Sequence, residues 1–167
     1  MSKLSLILVV LIGTMIAIFA DLLIFHRIPH GITKKIEECP AGSIKYKNGY
    51  YDEMCIEVAN SLQKKRRGLM HITEIPENYG MLFVFDEPHK AQFWMKNTHI
   101  SLDIIFLNPS FCVNKVEHFT VPYSLEEISA ENTQYVLEVN AGLSERYGFV
   151  EGSCEQPLPK EILELNF

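Results

Sequence analysis

The sequence predicts a mainly β protein, a small antiparallel sandwich or barrel with one or two short helices, behind an N-terminal transmembrane or signal segment. Three observations carry this. Apolar runs of four to six residues recur between Gly80 and Val139, each bounded by turn-forming residues. Met54, Ile56 and Val58 alternate with Cys55 and Glu57, the period of a half-buried strand. Leu4 to Ala20 is a stretch of 17 residues without a charge.

The N-terminal stretch sets the compartment. A removable signal has an apolar core of ~7–15 residues, and this one is longer. At ~1.5 Å per residue, residues 4–25 reach about 33 Å, enough for a hydrocarbon core of ~30 Å. A retained single-pass anchor in residues 1–25 is the favoured reading, with the membrane as its partner. Ala20, a small residue at the end of the run, keeps cleavage as the alternative. Asp21 fits both, because a carboxylate near the end of the segment reaches the interface cheaply. The flanking charges, Lys3 before the run and Arg27, Lys34 and Lys35 after it, would by themselves place the domain in the cytoplasm. Four cysteines argue the other way: Cys39, Cys55, Cys112 and Cys154 are an even set in a small domain behind an export-like segment. They admit three pairings into two disulfides. The expectation is a domain on the periplasmic or extracytoplasmic side with at least one bridge.

Residues 26–42, with Pro29, Gly31, Pro40 and Gly42, read as a linker. Residues 43–156 read as the β domain. Ile44–Tyr51 contains Asn48-Gly49 between short alternating runs, the signal of a tight hairpin turn, and Met54–Val58 follows as a half-buried strand. Asn60 and Ser61 then offer an N-cap for a short helix through Leu69, with Gly68 near its end. Gly80–Phe85, Ala91–Met95, Leu102–Leu107, Cys112–Val116 and Tyr135–Val139 follow as strands buried on both faces. Ala141–Tyr147 reads as a second short helix stopped by Gly148, and Phe149–Gly152 as a last turn and edge strand. Residues 157–167 form a tail with no assigned state.

Composition narrows the function. A chain of 167 residues that is 47% apolar, 11% aromatic and 22% charged folds as one domain and is neither disordered nor collagen-like. Its formal charge of −6 makes nucleic acid an unexpected partner, since such binding draws on neutralised phosphates. The one strong basic run, Lys64-Lys65-Arg66-Arg67, lies in the short helix. Successive residues point in different directions there, so three read as solvated and Arg67, beside Gly68-Leu69-Met70, as the one held by a ligand or carboxylate.

Four stretches carry the most specific wording: Arg67-Gly68-Leu69-Met70; Gly80-Met81-Leu82-Phe83; Phe93-Trp94-Met95-Lys96-Asn97-Thr98 with Leu102-Asp103-Ile104; and Tyr135-Val136-Leu137-Glu138 with Ala141-Gly142. In this order and spacing, over about residues 54–153, they resemble the bacterial and archaeal family known as domain of unknown function number 192. The resemblance implies a compact, mostly β domain, commonly exported or lipid-attached, and no particular reaction. Two positions depart from the family pattern, Ile72 where Arg is frequent and Ser101 where Pro is frequent. An anion site built on that Arg is weaker or absent here.

Read physically, Phe93–Thr98 in an extended chain sends Trp94, Lys96 and Thr98 to one side. Lys96 among apolar neighbours must snorkel or meet a carboxylate, and Asp103 and then Glu138 are the nearest acids in the pattern. Lys96, Asp103 and Glu138, with Asn97 and Thr98, could orient a small polar ligand beside Trp94. The competing account is a structural salt bridge that fixes strand register. His71, His99 and His118, near Met70, Met81 and Met95, lack metal-ligand spacing, and zinc-type cysteine pairs are missing, so neither metal nor cofactor is expected. Ser101 near His99 and Asp103 has triad residue types but no nucleophile elbow. The leading expectation is therefore a non-catalytic module binding a small polar ligand or a protein partner through Arg67, Trp94, Lys96, Asn97, Thr98, Asp103 and Glu138. The alternatives are a small hydrolase using His, Asp or Glu groups, which needs a cleft bringing His99 or His118 within hydrogen-bond reach of Asp103 or Glu138, and a structural envelope assembly protein, which predicts no pocket and an exposed apolar patch instead.

Overall fold

The computed structural model describes residues 34–41, 43–46 and 53–154. The expected anchor, the Asn48-Gly49 turn and the C-terminal tail lie outside the described residues. The chain divides into two units, Met1–Ile32 and Thr33–Phe167, and every described residue belongs to the second. Among the described residues no helix is long and apolar enough to cross a membrane.

Among the described residues the second unit holds eight strands and one six-residue helix: β1 (Lys34–Lys35), β2 (Ile44–Tyr46), β3 (Met54–Ala59), α1 (Leu62–Arg67), β4 (Ile72–Glu74), β5 (Tyr79–Phe93), β6 (Leu102–Leu107), β7 (Val113–Glu117) and β8 (Ile128–Asn140). Six of them form one sheet in the order β2-β3-β5-β8-β6-β7, and β1 pairs with β4. The expected antiparallel architecture needs correcting to a mixed one. β3 pairs parallel with β5 and β1 parallel with β4, while the other ladders are antiparallel. A parallel pair needs a crossover rather than a hairpin, and α1 with β4 supplies it between β3 and β5. No pairing between β2 and β7 closes the sheet into a barrel among the described residues.

The apolar runs are strands for the expected reason. All six residues of β6 are buried, which only a strand covered on both faces allows. Met54, Ile56, Leu82, Val84, Ile105, Leu107, Leu137 and Val139 pack on one face with Phe111, Tyr147 and Phe149. Ala59, Met81, Phe83, Ile104, Phe106 and Val136 pack on the other, beneath Ile36, Leu69, Ile72 and Met95. Residues 34–41, within the stretch read as a linker, thus contribute β1 and the buried Ile36.

Three local expectations change. Gly80–Phe85 and the start of the expected strand Ala91–Met95 belong to the single 15-residue β5, which ends at Phe93, short of Trp94 and Met95, and stays paired with β8 through register shifts on either side of His89. Such bulges bend a strand without ending it. The expected helix over Ala141–Tyr147 is only a 3-10 turn, Glu145–Tyr147, closed by Gly148 at φ 82°. Phe149–Gly152 forms no strand, although Gly152 donates its N–H to the Val113 carbonyl at 2.9 Å and Val113 donates to that of Ser153 at 2.8 Å.

Of the three possible pairings the structure has Cys39–Cys55 and Cys112–Cys154, with no free cysteine among the described residues. The first ties the segment after β1 to β3, and the second ties the start of β7 to the end of the described chain. Bridges of this kind belong to an oxidising compartment. Oxidised protein should therefore show no alkylatable thiol, and non-reducing peptide mapping should recover these two pairs and no other.

Candidate functional site

The end of α1 and the outer face of β5 line an open cavity of about 490 Å³, within the range of small-molecule sites. Leu62, Leu69, Met70, Phe83, Phe85, Phe93 and Trp94 give it apolar and aromatic walls, and Lys65, Arg66 and Arg67 a basic rim. Edge-to-face contacts fix the wall: Phe83 meets Phe93 at 5.0 Å between ring centroids and 88° between planes, and Phe93 meets Phe106 at 5.8 Å. Ser61 caps α1 by accepting the Lys64 N–H at 3.2 Å, as its residue type promised. Gly68 ends the helix at φ 48°, where a Cβ would stand 3.3 Å from Phe83 Cζ and 3.7 Å from Glu138 Oε2. Glycine is therefore what lets the Arg67-Gly68-Leu69-Met70 turn close over the sheet.

Glu138 lies at the bottom of this cavity. Its residue is 6% exposed, and its Oε2 is buried without a hydrogen-bond partner among the described residues. Burial disfavours the charged form and pushes the carboxyl up to about 8, so at neutral pH it is predominantly a carboxylic acid, a donor. A second acid on the same face shows the contrast. The register runs Glu57–Met81–Glu138–Ile104 across β3, β5, β8 and β6, and residues paired in register share a face. Glu57 accepts the Tyr79 hydroxyl at 2.8 Å and pairs with Lys64 at 3.2 Å. Burial, and then the Glu57 charge, push the Tyr79 hydroxyl far up, so it remains a donor. Glu57, two strand spacings from Glu138, is satisfied; Glu138 is not.

The next register row runs Ile56–Gly80–Val139–Asp103, so Asp103 points to the opposite face. There it is fully buried. Oδ1 accepts the Phe119 N–H at 3.0 Å, and Oδ2 accepts the Gly142 N–H at 2.9 Å, the Ser144 N–H at 3.1 Å and the Ser144 hydroxyl at 2.7 Å. Burial works against the charge of this carboxyl, but the four donors outweigh it and hold the group below its ordinary value. Asp103 thereby fastens the loop after β7 to the loop after β8.

The expected ion pair of Lys96 with Asp103 or Glu138 is not formed. β5 ends at Phe93, and Lys96 sits on an exposed turn where Asn97 takes φ 56°. The Lys96 ammonium lies 5.3 Å from the Trp94 ring centroid, a cation–π contact at the surface. Of the seven residues expected at a ligand, the cavity gathers Arg67, Trp94, Thr98 and Glu138; Lys96, Asn97 and Asp103 do not line it. Phe83, Phe85 and the glycine turn were not singled out as ligand contacts, though the Arg-Gly-Leu-Met wording pointed at the right turn.

His118 does approach Asp103, with Nδ1 3.7 Å from Oδ2 and 3.3 Å from the Ser144 oxygen. This is not a nucleophile arrangement. Ser144 is completely buried and gives its proton to Asp103, and serine and carboxylate crowd the same ring nitrogen instead of opposite ones. Ser101 donates to the Thr120 carbonyl at 2.7 Å, and His99 Nδ1 meets the Tyr123 hydroxyl at 2.6 Å.

The DUF192 family model, described as an uncharacterised ACR, matches residues 44–154. The chain belongs to the DUF192 family. Two solved structures are similar to this DUF192 domain. One, a "putative transcription regulator" from Sinorhizobium meliloti, is 33% identical, with 60% of this chain and 79% of that one covered and a TM-score of 0.57. The other, a protein of unknown function from Novosphingobium aromaticivorans, is 34% identical, with 66% and 80% covered and a TM-score of 0.59. No curated protein matches the chain. The DUF192 match begins in β2 and ends at Cys154, so it contains the whole six-stranded sheet, the cavity and three of the four cysteines.

Proposed function

We propose that this DUF192 domain is a non-catalytic binding module on the extracytoplasmic side, tethered by its N-terminal segment, whose cavity under the Arg67-Gly68-Leu69-Met70 turn takes a small ligand with an apolar body and a polar group that reaches Glu138. The observation that carries this is the carboxyl of Glu138, buried with an unpartnered oxygen in an aromatic-walled cavity. Such a group costs stability unless something outside the fold completes its hydrogen bonding. The disulfides support the compartment, and the long uncharged N-terminal stretch supports the tether. A DNA-reading role, which the description of the Sinorhizobium neighbour would suggest, is not favoured: the charge is −6 and the one helix described has six residues.

A second reading has its own observation. The loop between β7 and β8 exposes Phe119 (66%), Val121 (68%), Tyr123 (55%) and Leu125 (71%), the kind of patch an assembly partner would cover. Both readings meet one experiment. Titrating the isotope-labelled protein with 3-phenylpropan-1-ol should move amide signals of residues 62–70, 83–94 and 138, and Trp94→Ala should weaken binding about fivefold or more. Shifts confined to residues 119–125 would favour the loop and count against the cavity.

A further inference from the structure

We infer that the ligand of this cavity is a small organic anion, a monocarboxylate on an apolar body, received by the Glu138 carboxylic acid below and the basic rim of α1 above. This inference rests on the binding reading just proposed and deepens it. Among the described residues three cations line the cavity, Lys65, Arg66 and Arg67, against one acid, Glu138. That balance runs opposite to the chain as a whole, which is acidic. Lys64, the fourth member of the basic run, is committed to Glu57, whereas Arg66 and Arg67 make no ion pair with a described residue.

A cationic ligand is poorly served here. Lys65 stands 5.5 Å from the Phe85 ring centroid and Lys96 5.3 Å from that of Trp94, so the half-buried Phe85 and the exposed Trp94 each already carry an ammonium. A carboxylate meets the reverse. Its charge is attracted by the rim, and one of its oxygens accepts the proton of the Glu138 carboxylic acid, a charge-assisted hydrogen bond that completes the unpartnered group. The two carboxyl groups then share one proton, and the single negative charge faces three cations.

Binding of this kind is linked to pH. The titratable groups on the side of Glu138 are Glu57 on β3 and Tyr79 on β5, bonded to each other, and at α1 Lys64, paired with Glu57, with Lys65, Arg66 and Arg67; β6 presents only Leu102, Ile104 and Phe106 on that face. Asp103 and His118 are on the other side of the sheet. A ligand that requires the protonated acid loses affinity as that proton leaves, about tenfold between pH 7 and pH 9 for a group titrating near 8.

The experiment is calorimetric titration of the full-length oxidised chain with three probes of one skeleton, 3-phenylpropionate, 3-phenylpropan-1-ol and 3-phenylpropylamine. At pH 6.5 the carboxylate should bind about tenfold tighter than the alcohol, with the amine weakest. Its affinity should fall about tenfold from pH 7 to pH 9, and Glu138→Gln should bind it with no pH dependence over that range. The double variant Arg66→Gln, Arg67→Gln should erase the preference for the carboxylate and leave alcohol binding in place. Equal binding of alcohol and carboxylate, or tightest binding of the amine, would overturn the anion assignment while the cavity reading stands. Failure of all three probes would overturn the cavity reading itself.

Discussion

Replacing Asp103 by asparagine is expected to destabilise the domain by about 3–5 kcal/mol, because four donors then converge on a side chain with a single acceptor oxygen. The amide NH₂ must face either the Phe119 N–H or the three donors from Gly142 and Ser144. Both loops fastened by this carboxylate would loosen together. The sign of the pH dependence follows from the direction of the shift. A carboxyl held below its ordinary value of 3.8 contributes stability that is complete above that value and is lost as pH falls through the lower folded value. Urea unfolding at pH 7 should show the full deficit. At pH 2–3 the natural protein should lose part of its advantage over Asp103→Asn. A difference under about 1 kcal/mol at pH 7 would remove Asp103 from its structural role.

Glutamine in place of Glu138 should act in the opposite sense. Here the folded carboxyl sits above its ordinary value of 4.5, at about 8, so the folded state keeps a proton that the unfolded state releases. Stability is then fully present below pH ~4.5, declines as pH rises through the window up to ~8, and is flat above it. Glutamine is neutral throughout and escapes that loss. Glu138→Gln should match the natural protein near pH 4 and exceed it by on the order of 3 kcal/mol at pH 8–9, as read by thermal or urea unfolding. A carboxyl that weakens the fold in this way is consistent with a group kept for binding.

The strands were legible because burial on both faces leaves an unbroken apolar run, as in Leu102–Leu107, and because Ser61 and Gly68 mark the ends of α1. That the cysteines form at least one bridge was legible too, but neither that both bridges form nor the pairing, which depends on which strands lie side by side. Register was the main thing out of sight. Asp103 and Glu138 both interrupt apolar strands, and nothing local tells that Asp103 is opposite Val139 and Glu138 opposite Ile104, one residue out of phase and therefore on opposite faces. Lys96 misled for a related reason. Its sequence neighbours are apolar, but the strand stops three residues earlier and the side chain leaves the core. The parallel pairing of β3 with β5 was hidden because a crossover and a hairpin can join runs that look alike. Arg67, Trp94, Thr98 and Glu138 stood out as residues, but the cavity that joins four of the seven is a product of that crossover, which folds α1 over the exposed face of β5.

The claim on which the rest depends is that Glu138 is an uncharged acid at neutral pH inside an enterable cavity. Carboxyl-carbon NMR of glutamate-labelled protein, with Glu138→Gln supplying the assignment, measures this directly. The account predicts a resonance that titrates near pH 8 and moves when 3-phenylpropionate is added. A Glu138 signal that titrates between pH 4 and 5 and ignores the probe would contradict it.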